Sequence, residues 1–501
     1  MMIPFSETAR INKLIQEGGQ SGMTELQFFA KQISLWKCSP QRREQLDGEL
    51  YYHGEHEILK RKRTIIGEGG LLQKVENLPN NRIVDNQYCK MVDQKANYLL
   101  GKPFTIECDN KPYIELLKDL FNNQFRRTFR RMGEDCLNGA MGWLFFHYDG
   151  QGQPAFRRLP PFEILPFWAD DDHTQLDCAL RLYVQEVWEG QTKKNIERVE
   201  IYKPDGIWRY IYNNGSLTPD VELGEHENYF WKMDATGKRT EEFNWLKIPL
   251  IPFKYNAGEI PLIRRVKTLQ DGLNTILSDW ENNMQEDARN TILVLTEYDG
   301  QDLGEFRRNL ATYGAVKVRA DGGVTTLEVT INAENYKAIL DVFKTKLIEN
   351  ARGFDAKDDR LGNSPNQMNI QSMYSDIDLD ANGMEVEFQA SFEELLWFIN
   401  QYFIQTGQGD FTKEKVTVTF NRDILINESE SIDNCGKSIG ILSRETIVAQ
   451  HPWTTDVEEE LKRIDEEEQA SLEKAAEYQN AFNPVSGSGN KTDPTNRGGD
   501  E

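Results

Sequence analysis

Histidine and cysteine are scarce in this 501-residue chain, and positive charge is outnumbered. The six cysteines (Cys38, Cys89, Cys108, Cys136, Cys178 and Cys435) are scattered, with no CxxC pair. That pattern favours reduced thiols in a cytosol over a disulfide framework or a zinc site. The six histidines are dispersed as well; His53 and His56 share a segment but have no third ligand at metal spacing. No apolar run approaches the ~20 residues a membrane span needs. The opening stretch, Met1 to Glu7, lacks the basic-then-apolar pattern of a signal peptide, so no secretory leader is expected. Fifty-eight Lys and Arg face 81 Asp and Glu, a net charge of −23. A sequence-specific DNA binder carries the opposite balance, because phosphate neutralisation supplies much of its affinity.

Catalytic signatures are missing too. Cys435-Gly436-Lys437-Ser438 imitates the end of a phosphate-binding loop. The full loop needs a glycine five residues before Gly436, where this chain has Ser431, and no strand immediately precedes it. Asp170-Asp171-Asp172-His173 has the oxygen ligands for Mg²⁺, but it lies between two strand-like segments and reads as an acidic hairpin turn. No G-x-S-x-G elbow or kinase signature is present. These absences argue against an ATPase, a nuclease or a hydrolase, and no cofactor is expected.

What is present is enough material for about three domains of roughly 150 residues each, with 39% apolar residues to build their cores. Thr24 and Gln27 fit a capping box, followed by Leu26, Phe29, Ile33 and Trp36 at helical spacing. A basic run, Lys60 to Arg63, suits either a solvated face or nucleic acid. Residues 81 to 100 read as a long helix stopped by Gly101-Lys102-Pro103, and 112 to 138 as another. From Trp143 to Ile251, short strand-like segments alternate with turns such as Asn213-Asn214-Gly215, predicting antiparallel hairpins. From Ile260 one long helix is expected, with Leu262, Val266, Leu269, Leu273, Ile276, Trp280 and Met284 as an apolar seam over about six turns.

An insert follows: an apolar run Ile292 to Leu295, a short helix near Leu303 to Leu310, then Ala315 to Val318 and Thr325 to Val329 joined as a hairpin by a turn at Asp321-Gly322-Gly323. A second helix runs from about Ala333 to Arg352, with Tyr336, Leu340, Phe343 and Leu347 on one stripe. Gly353 to Pro365 is a polar loop. A mostly helical stretch continues to about Phe403, with a kink expected near Gly383. Lys415 to Phe420 alternates as a strand, 431 to 451 reads as short helices, Thr455 and Glu458 form another capping box, and the tail from Asn483 is expected to be disordered.

Several separated segments, in order, resemble the portal proteins of tailed double-stranded-DNA bacteriophages of the siphophage type. They are Tyr51-Tyr52-x-Gly54 with Ile58-Leu59-Lys60-Arg61; Asn81 to Pro103 with its VDQKANYLLGKP ending; and Leu159-Pro160-Pro161 with Glu163-Ile164 and Pro166. Then come Ile248-Pro249 to Phe253; Val266-Lys267-x-Leu269-x-Asp271 with Asn274 and Ser278; and Ser443, Glu445-Thr446 and Asp456-Val457-Glu458-x-Glu460. The resemblance spans nearly the whole chain except the tail. Around Asn363 to Met384 the chain departs from the family in having few small Ser and Gly residues.

The resemblance implies a helix-rich α+β portal fold: an N-terminal arm (1–24), a wing (25–258), a first stem helix (259–290), a clip (291–332), a second stem helix (333–353), a tunnel loop (354–366), a long kinked helix with a returning wing strand (367–428), a crown (429–480) and a tail (481–501). It implies a ring of about twelve subunits at one capsid vertex of the virion, assembled in the host cytoplasm. Its partners would be a packaging ATPase (terminase large subunit), a head-completion or connector protein, the scaffold and major capsid proteins, and duplex DNA passing non-specifically; no membrane is involved. The channel residues would be Asp355, Lys357, Asp358, Asp359 and Arg360. Arg307 and Arg308 would serve clip docking, and Leu269, Leu273, Ile276, Trp280, Leu340, Phe343 and Leu347 stem packing. No catalytic or metal-binding residue is expected. A net-negative channel repels phosphate and lets a duplex slide. The competing readings are a phage nuclease or packaging ATPase, and another virion structural subunit.

Overall fold

Thr24 accepts the backbone N–H of Gln27, and Gln27 accepts the Thr24 N–H, at 3.3 and 3.0 Å. This reciprocal cap starts helix α1 (Glu25–Lys37). Ser39 caps α2 (Pro40–Tyr52), whose first residue is a proline that loses no hydrogen bond there. The computed structural model describes residues 24–66, 71–74, 78–233, 239–287, 292–296, 323–327, 333–355, 367–422, 428–454 and 457–482. The expected arm before Thr24 and tail after Phe482 lie outside these residues, as do the insert helix 303–310, Ala315 to Val318 and Thr455.

After α2 comes a small ribbon, β1 (Thr64–Ile66) paired antiparallel with β2 (Leu72–Lys74). Then follow α3 (Gln87–Leu100), β3 (Thr105–Glu107), α4 (Lys111–Leu120) and α5 (Asn123–Gly139). A run of strands follows: β4 (Met141–Tyr148), β5 (Pro154–Leu159), β6 (Ile164–Trp168), β7 (Leu176–Glu189), β8 (Thr192–Lys203), β9 (Gly206–Asn213), β10 (Ser216–Pro219), β11 (His226–Glu227), β12 (Phe230–Met233), β13 (Arg239–Phe243) and β14 (Leu250–Lys254). β6 to β10 form one antiparallel sheet in sequence order, with β11 added beside β9, while β14, β4 and β5 form a second. Asn214 and Gly215 turn β9 into β10 with φ of 48° and 82°, the left-handed pair that a two-residue hairpin demands.

Strand periodicity sets the first core. Leu180 and Leu182 on β7 stand opposite Ile201 and Val199 on β8, and all four pack with Phe29, Ile33 and Trp36 of α1. The second core is aromatic. Phe129 on α5 meets Phe253, Phe388 and Phe392 edge-on at 5.3, 5.7 and 5.3 Å between ring centroids, the geometry that ring quadrupoles favour. Phe388 and Phe392 belong to a long helix that enters the chain after the sheets.

The remaining elements are α6 (Leu262–Asp287), β15 (Ile292–Thr296), β16 (Gly323–Leu327), α7 (Ala333–Ala351), α8 (Gln367–Gln405), β17 (Thr417–Thr419), α9 (Glu428–Lys437), α10 (Arg444–Gln450) and α11 (Val457–Phe482). The chain divides into two compact units. The first holds everything to residue 356 together with 373–424. The second holds 357–372 and 425–501, in which Arg444 reaches Asp465 and Glu468 of α11 at 3.5 and 3.0 Å.

Three readings of the sequence need correction. Residues 81 to 86 are not helical; α3 begins at Gln87 behind its cap Asn86, which accepts the Cys89 N–H at 3.0 Å. The helix expected over 112 to 138 is two, because Asn122 accepts the N–H groups of Gln124 and Phe125 at 2.9 and 3.1 Å and starts a new helix. In the insert, Gly323–Leu327 pairs with Ile292–Thr296, so Gly323 is a strand residue and not part of the turn expected at Asp321-Gly322-Gly323. The acidic Asp170–His173 segment is a turn: Asp170 accepts the N–H groups of Thr174 and Gln175 at 2.9 and 2.8 Å. The phosphate-loop imitation ends helix α9, where a helix presents carbonyls rather than the amides a phosphate needs. Among the described residues no group of three or more His, Cys, Asp or Glu is placed to hold a metal.

A buried acid, Asp135, and a half-buried one, Glu394, lead to an expected pH dependence of the first unit. Burial, opposed by the Arg158 guanidinium 2.6 Å away, raises the Asp135 carboxyl to about 7. Its Oδ2 is buried with no hydrogen-bond partner among the described residues. Burial raises Glu394 to about 7 as well, against a weaker pull from Lys247. For a raised carboxyl, the stability contribution is complete below its unfolded value near 4 and is lost as pH rises through about 7. The melting temperature of the first unit should therefore fall between pH 5.5 and 8. Asp135→Asn with Glu394→Gln should flatten that fall; an unchanged pH profile in the double variant would reject the assignment.

Candidate functional site

Helices α6 and α7 run antiparallel. Trp280 stacks on Tyr336 at 6.1 Å near one end. Further along, Gly272 faces Phe343 so closely that a Cβ there would stand 2.5 Å from the Phe343 ring, so the helix approach needs glycine. Of the residues expected to pack these helices, Leu273, Leu340 and Leu347 are buried, while Leu269, Ile276, Trp280 and Phe343 are half-buried. Met284, the last residue of the expected seam, is exposed.

Beside the buried Leu262, Val266 and Leu273, α6 has an equally buried stripe that is polar. Gln270, Asn274, Ser278 and Asn282, four residues apart, are all 0–2% exposed. They take up the backbone of the extended segment 81–88. Asn282 Oδ1 accepts from Asn81 N at 2.7 Å, Ser278 Oγ from Ile83 N at 2.9 Å, Asn274 Oδ1 from Asp85 N at 3.0 Å and Gln270 Oε1 from Tyr88 N at 3.0 Å. Gln270 Nε2 also donates to the Asp85 carbonyl at 2.7 Å. The spacing explains the match: four helical residues rise about 6 Å, and two extended residues about 6.6 Å. The first three rungs thus meet every second amide, at 81, 83 and 85, which have partners without a helix of their own; the fourth reaches Tyr88 N in the first turn of α3.

The ladder also reaches α2. Asn274 Nδ2 donates to His56 Nδ1 at 2.8 Å, and His56 Nε2 faces the Tyr51 carbonyl at 3.2 Å. His56 must be neutral, with its proton on Nε2; burial lowers its basicity further. Tyr51 stacks on the imidazole and donates to Asp271 at 2.5 Å. From the basic run, Arg61 pairs with Asp279 at 2.6 Å and Arg63 donates to the Pro79 carbonyl at 2.6 Å. Arg61 therefore braces the ribbon foot against α6, and Arg63 ties it to the segment that precedes the ladder.

At the other end of the helix pair lies a charged hub. Asp380, on α8, accepts Lys95 from α3 at 2.8 Å, Arg265 from α6 at 3.0 Å, and the Tyr255 hydroxyl; Arg352, just past α7, stands at 3.4 Å. Burial alone would raise the Asp380 carboxyl, but Lys95, Tyr255 and Arg265 outweigh it and hold it below the usual carboxylate range. Burial lowers Lys95 to about 8 despite the pull of Asp380.

The hub fixes where the chain leaves α7. Arg352 takes a left-handed φ of 53°, and Gly353 N returns to the Ile348 carbonyl at 3.0 Å, closing the helix end. Lys95 Nζ also donates to the Arg352 carbonyl at 3.0 Å. Gln94 clasps Phe354 from both sides, donating to its carbonyl at 2.9 Å and accepting its N–H at 3.0 Å. Phe354 stacks on Tyr374 at 4.5 Å. Asp355 is half-buried at the start of the expected loop. Lys357, Asp358, Asp359 and Arg360, and the insert residues Arg307 and Arg308, lie outside the described residues.

Reading the sequence found the apolar contacts and missed the ladder and the hub. Gln270, Asn274, Ser278 and Asn282 at intervals of four were the available signal for the ladder. Nothing in the sequence pairs Lys95 with a residue 285 positions away.

Residues 35–474 match the family described as phage portal protein, SPP1 Gp6-like. The chain is 29% identical over 425 residues to the portal protein of Bacillus phage SPP1, covering 84% of this chain and 83% of that one. It is 26% identical over 464 residues to the portal protein of Clostridium phage phiCD119, covering 88% and 96%. Among solved structures, a chain from the neck of an empty GTA particle, computed with C6 symmetry, is similar at a TM-score of 0.41 and 10% identity, over 72% of this chain and 88% of that one. With the family matched over nearly the whole length of an α+β chain of these helices and sheets, the chain belongs to the phage portal proteins, structural components of the virion.

Proposed function

We propose that the chain forms a closed ring of about twelve copies at one capsid vertex, assembled in the host cytoplasm, and that double-stranded DNA passes through the ring during packaging and ejection. In this reading α6 and α7, within 259–290 and 333–353, are the stem. Residues 291–332 are the clip, 354–366 the tunnel loop, 429–480 the crown, and 25–258 with 367–428 the wing. The clip is the docking site for the packaging ATPase and later for a head-completion protein, and Arg307 and Arg308 are the first residues to test there. Scaffold and major capsid proteins contact the ring from outside. The subunit acts by geometry and charge and has no catalytic residue of its own.

One observation supports this reading most. The antiparallel pair α6 and α7 carries a two-stranded insert at one end and the hub at Asp380 at the other, and the polar loop leaves from that hub. A lever of two packed helices with a loop at its root is suited to transmit movement between an outer insert and an inner constriction. Electron micrographs of the purified protein should show rings with a central hole; shells, tubes or monomers would reject the ring.

Lys357 and Arg360, among Asp355, Asp358 and Asp359, give the loop mixed charge for brief phosphate contacts. Lys357→Ala with Arg360→Ala should leave ring assembly intact and change the amount of DNA packaged or retained. Packaging equal to wild type would remove the loop from the channel.

A further inference from the structure

Helix α5 carries four arginines on its solvent side: Arg126, Arg127, Arg130 and Arg131. At 100° and 1.5 Å per residue they cover an arc of about 140° and a length of about 7.5 Å. The opposite side holds Phe125, Phe129 and Met132, all buried, so the helix cannot roll to hide them. Arg127, Arg130 and Arg131 are exposed and Arg126 is half-exposed.

Few carboxylates meet them: Arg126 donates to the Asn123 side chain at 3.4 Å. Acids outnumber bases by 23, and many arginines elsewhere reach carboxylates, among them Arg61, Arg158, Arg181, Arg198, Arg265 and Arg422. Among the described residues Arg126, Arg127 and Arg131 have no carboxylate within 4 Å, and Arg130 meets Glu134 only at 3.6 Å. The helix has no acid in its first turn. Like charges four apart, close to the positive end of a helix, disfavour the fold. An arrangement that the folded subunit does not need, and that costs it stability, fits an external anion.

The shape of the ridge selects the anion. A cleft beside it, lined by Phe104, Ile106, Ile114 and Phe121, is bordered by Arg126 but by none of the other three. Arg127, Arg130 and Arg131 thus stand apart from the apolar cleft that an amphipathic acidic helix would need. Guanidinium forks match phosphate oxygens two at a time. We propose that this ridge contacts the phosphate backbone of double-stranded DNA lying against the wing, outside the passage that the ring encloses. The location rests on the ring reading above; the contact itself does not.

The test uses assembled full-length rings and a covalently closed DNA circle, which a ring already closed cannot thread, beside a linear duplex of the same sequence. Ring formation is scored by electron microscopy on the same samples, so a failure of the ring reading shows there and not in the binding curves. Binding is followed by fluorescence anisotropy from 50 to 200 mM NaCl. The circle should bind, and Arg127→Gln/Arg130→Gln/Arg131→Gln should weaken it about tenfold or more at the low-salt end. The slope of log K against log salt should become shallower by about three. The corresponding Lys variant should keep the wild-type slope, which a purely structural role would not explain. An unchanged circle affinity in the Gln variant overturns the proposal, as does binding of the linear duplex alone. Displacement of the circle by polyglutamate as effectively as by DNA of equal charge would also overturn it, in favour of an acidic protein partner.

Discussion

Replacing Asp380 with alanine is expected to lower the unfolding free energy of the first unit by about 3–5 kcal/mol, the usual cost of stranding a buried charge. Lys95 is only 4% exposed at its side chain, so it cannot recover its loss from water. Arg265 and Arg352, at 22% and 53%, can do so in part. Asp380→Asn should be nearly as damaging, because it keeps the shape and removes the charge. Adding Lys95→Met to Asp380→Leu should recover much of the loss, since the pair is then replaced by apolar volume. Guanidinium titrations read all four proteins. A loss below about 1 kcal/mol in the alanine variant would mean that the hub is hydrated and does not tie the helix pair to α8.

A second large effect is expected at Asn274, which is fully buried and serves three partners. Asn274→Leu leaves the Asp85 amide and the His56 Nδ1 without partners, at about 1–3 kcal/mol for each stranded group. Asn274→Asp separates the two. Its carboxylate still accepts the Asp85 amide but faces the His56 lone pair, so only a protonated His56 restores the contact. A carboxylate neighbour raises the His56 pKa in this variant. That stabilisation is therefore present below about 6.5 and lost as pH rises through the raised value. Urea titrations at pH 5.5 and 8 should show the Asp variant recovering at the lower pH and the Leu variant not. Equal pH profiles would show that His56 and Asn274 are not coupled.

Local signals in the sequence were reliable where the partner lay within a few residues. The Thr24–Gln27 cap, the stop at Gly101-Lys102-Pro103 and the Asn213–Gly215 turn all fall where the chain puts them. They failed where a distant partner competed. Residues 81–86 have apolar spacing that a helix would accept, but α6 supplies hydrogen-bond partners for the same amides from nearly 200 positions away. The break at Asn122 was local and legible in principle, because an asparagine side chain caps a helix better than it propagates one. In the insert, Gly323 was read as a turn residue, and its pairing with Thr296, from a segment 27 positions earlier, makes it a strand residue.

The sequence by itself determined the antiparallel hairpins, the two long helices flanking an insert, the absence of recognised catalytic motifs and the resemblance to phage portals, because periodicity, caps and ordered motifs are properties of neighbours along the chain. Only the tertiary structure decided which stripe of α6 faces inward. Leucine spacing marks an apolar seam, but Gln270, Asn274, Ser278 and Asn282 are more completely buried than Leu269, Ile276 or Trp280. Burial of polar groups is allowed only where hydrogen-bond partners wait, and those partners are backbone amides brought close by folding. The same holds for Asp380. An aspartate in an acid-rich stretch reads as surface until Lys95, Arg265 and Tyr255 converge on it, and that convergence depends on how four distant elements pack.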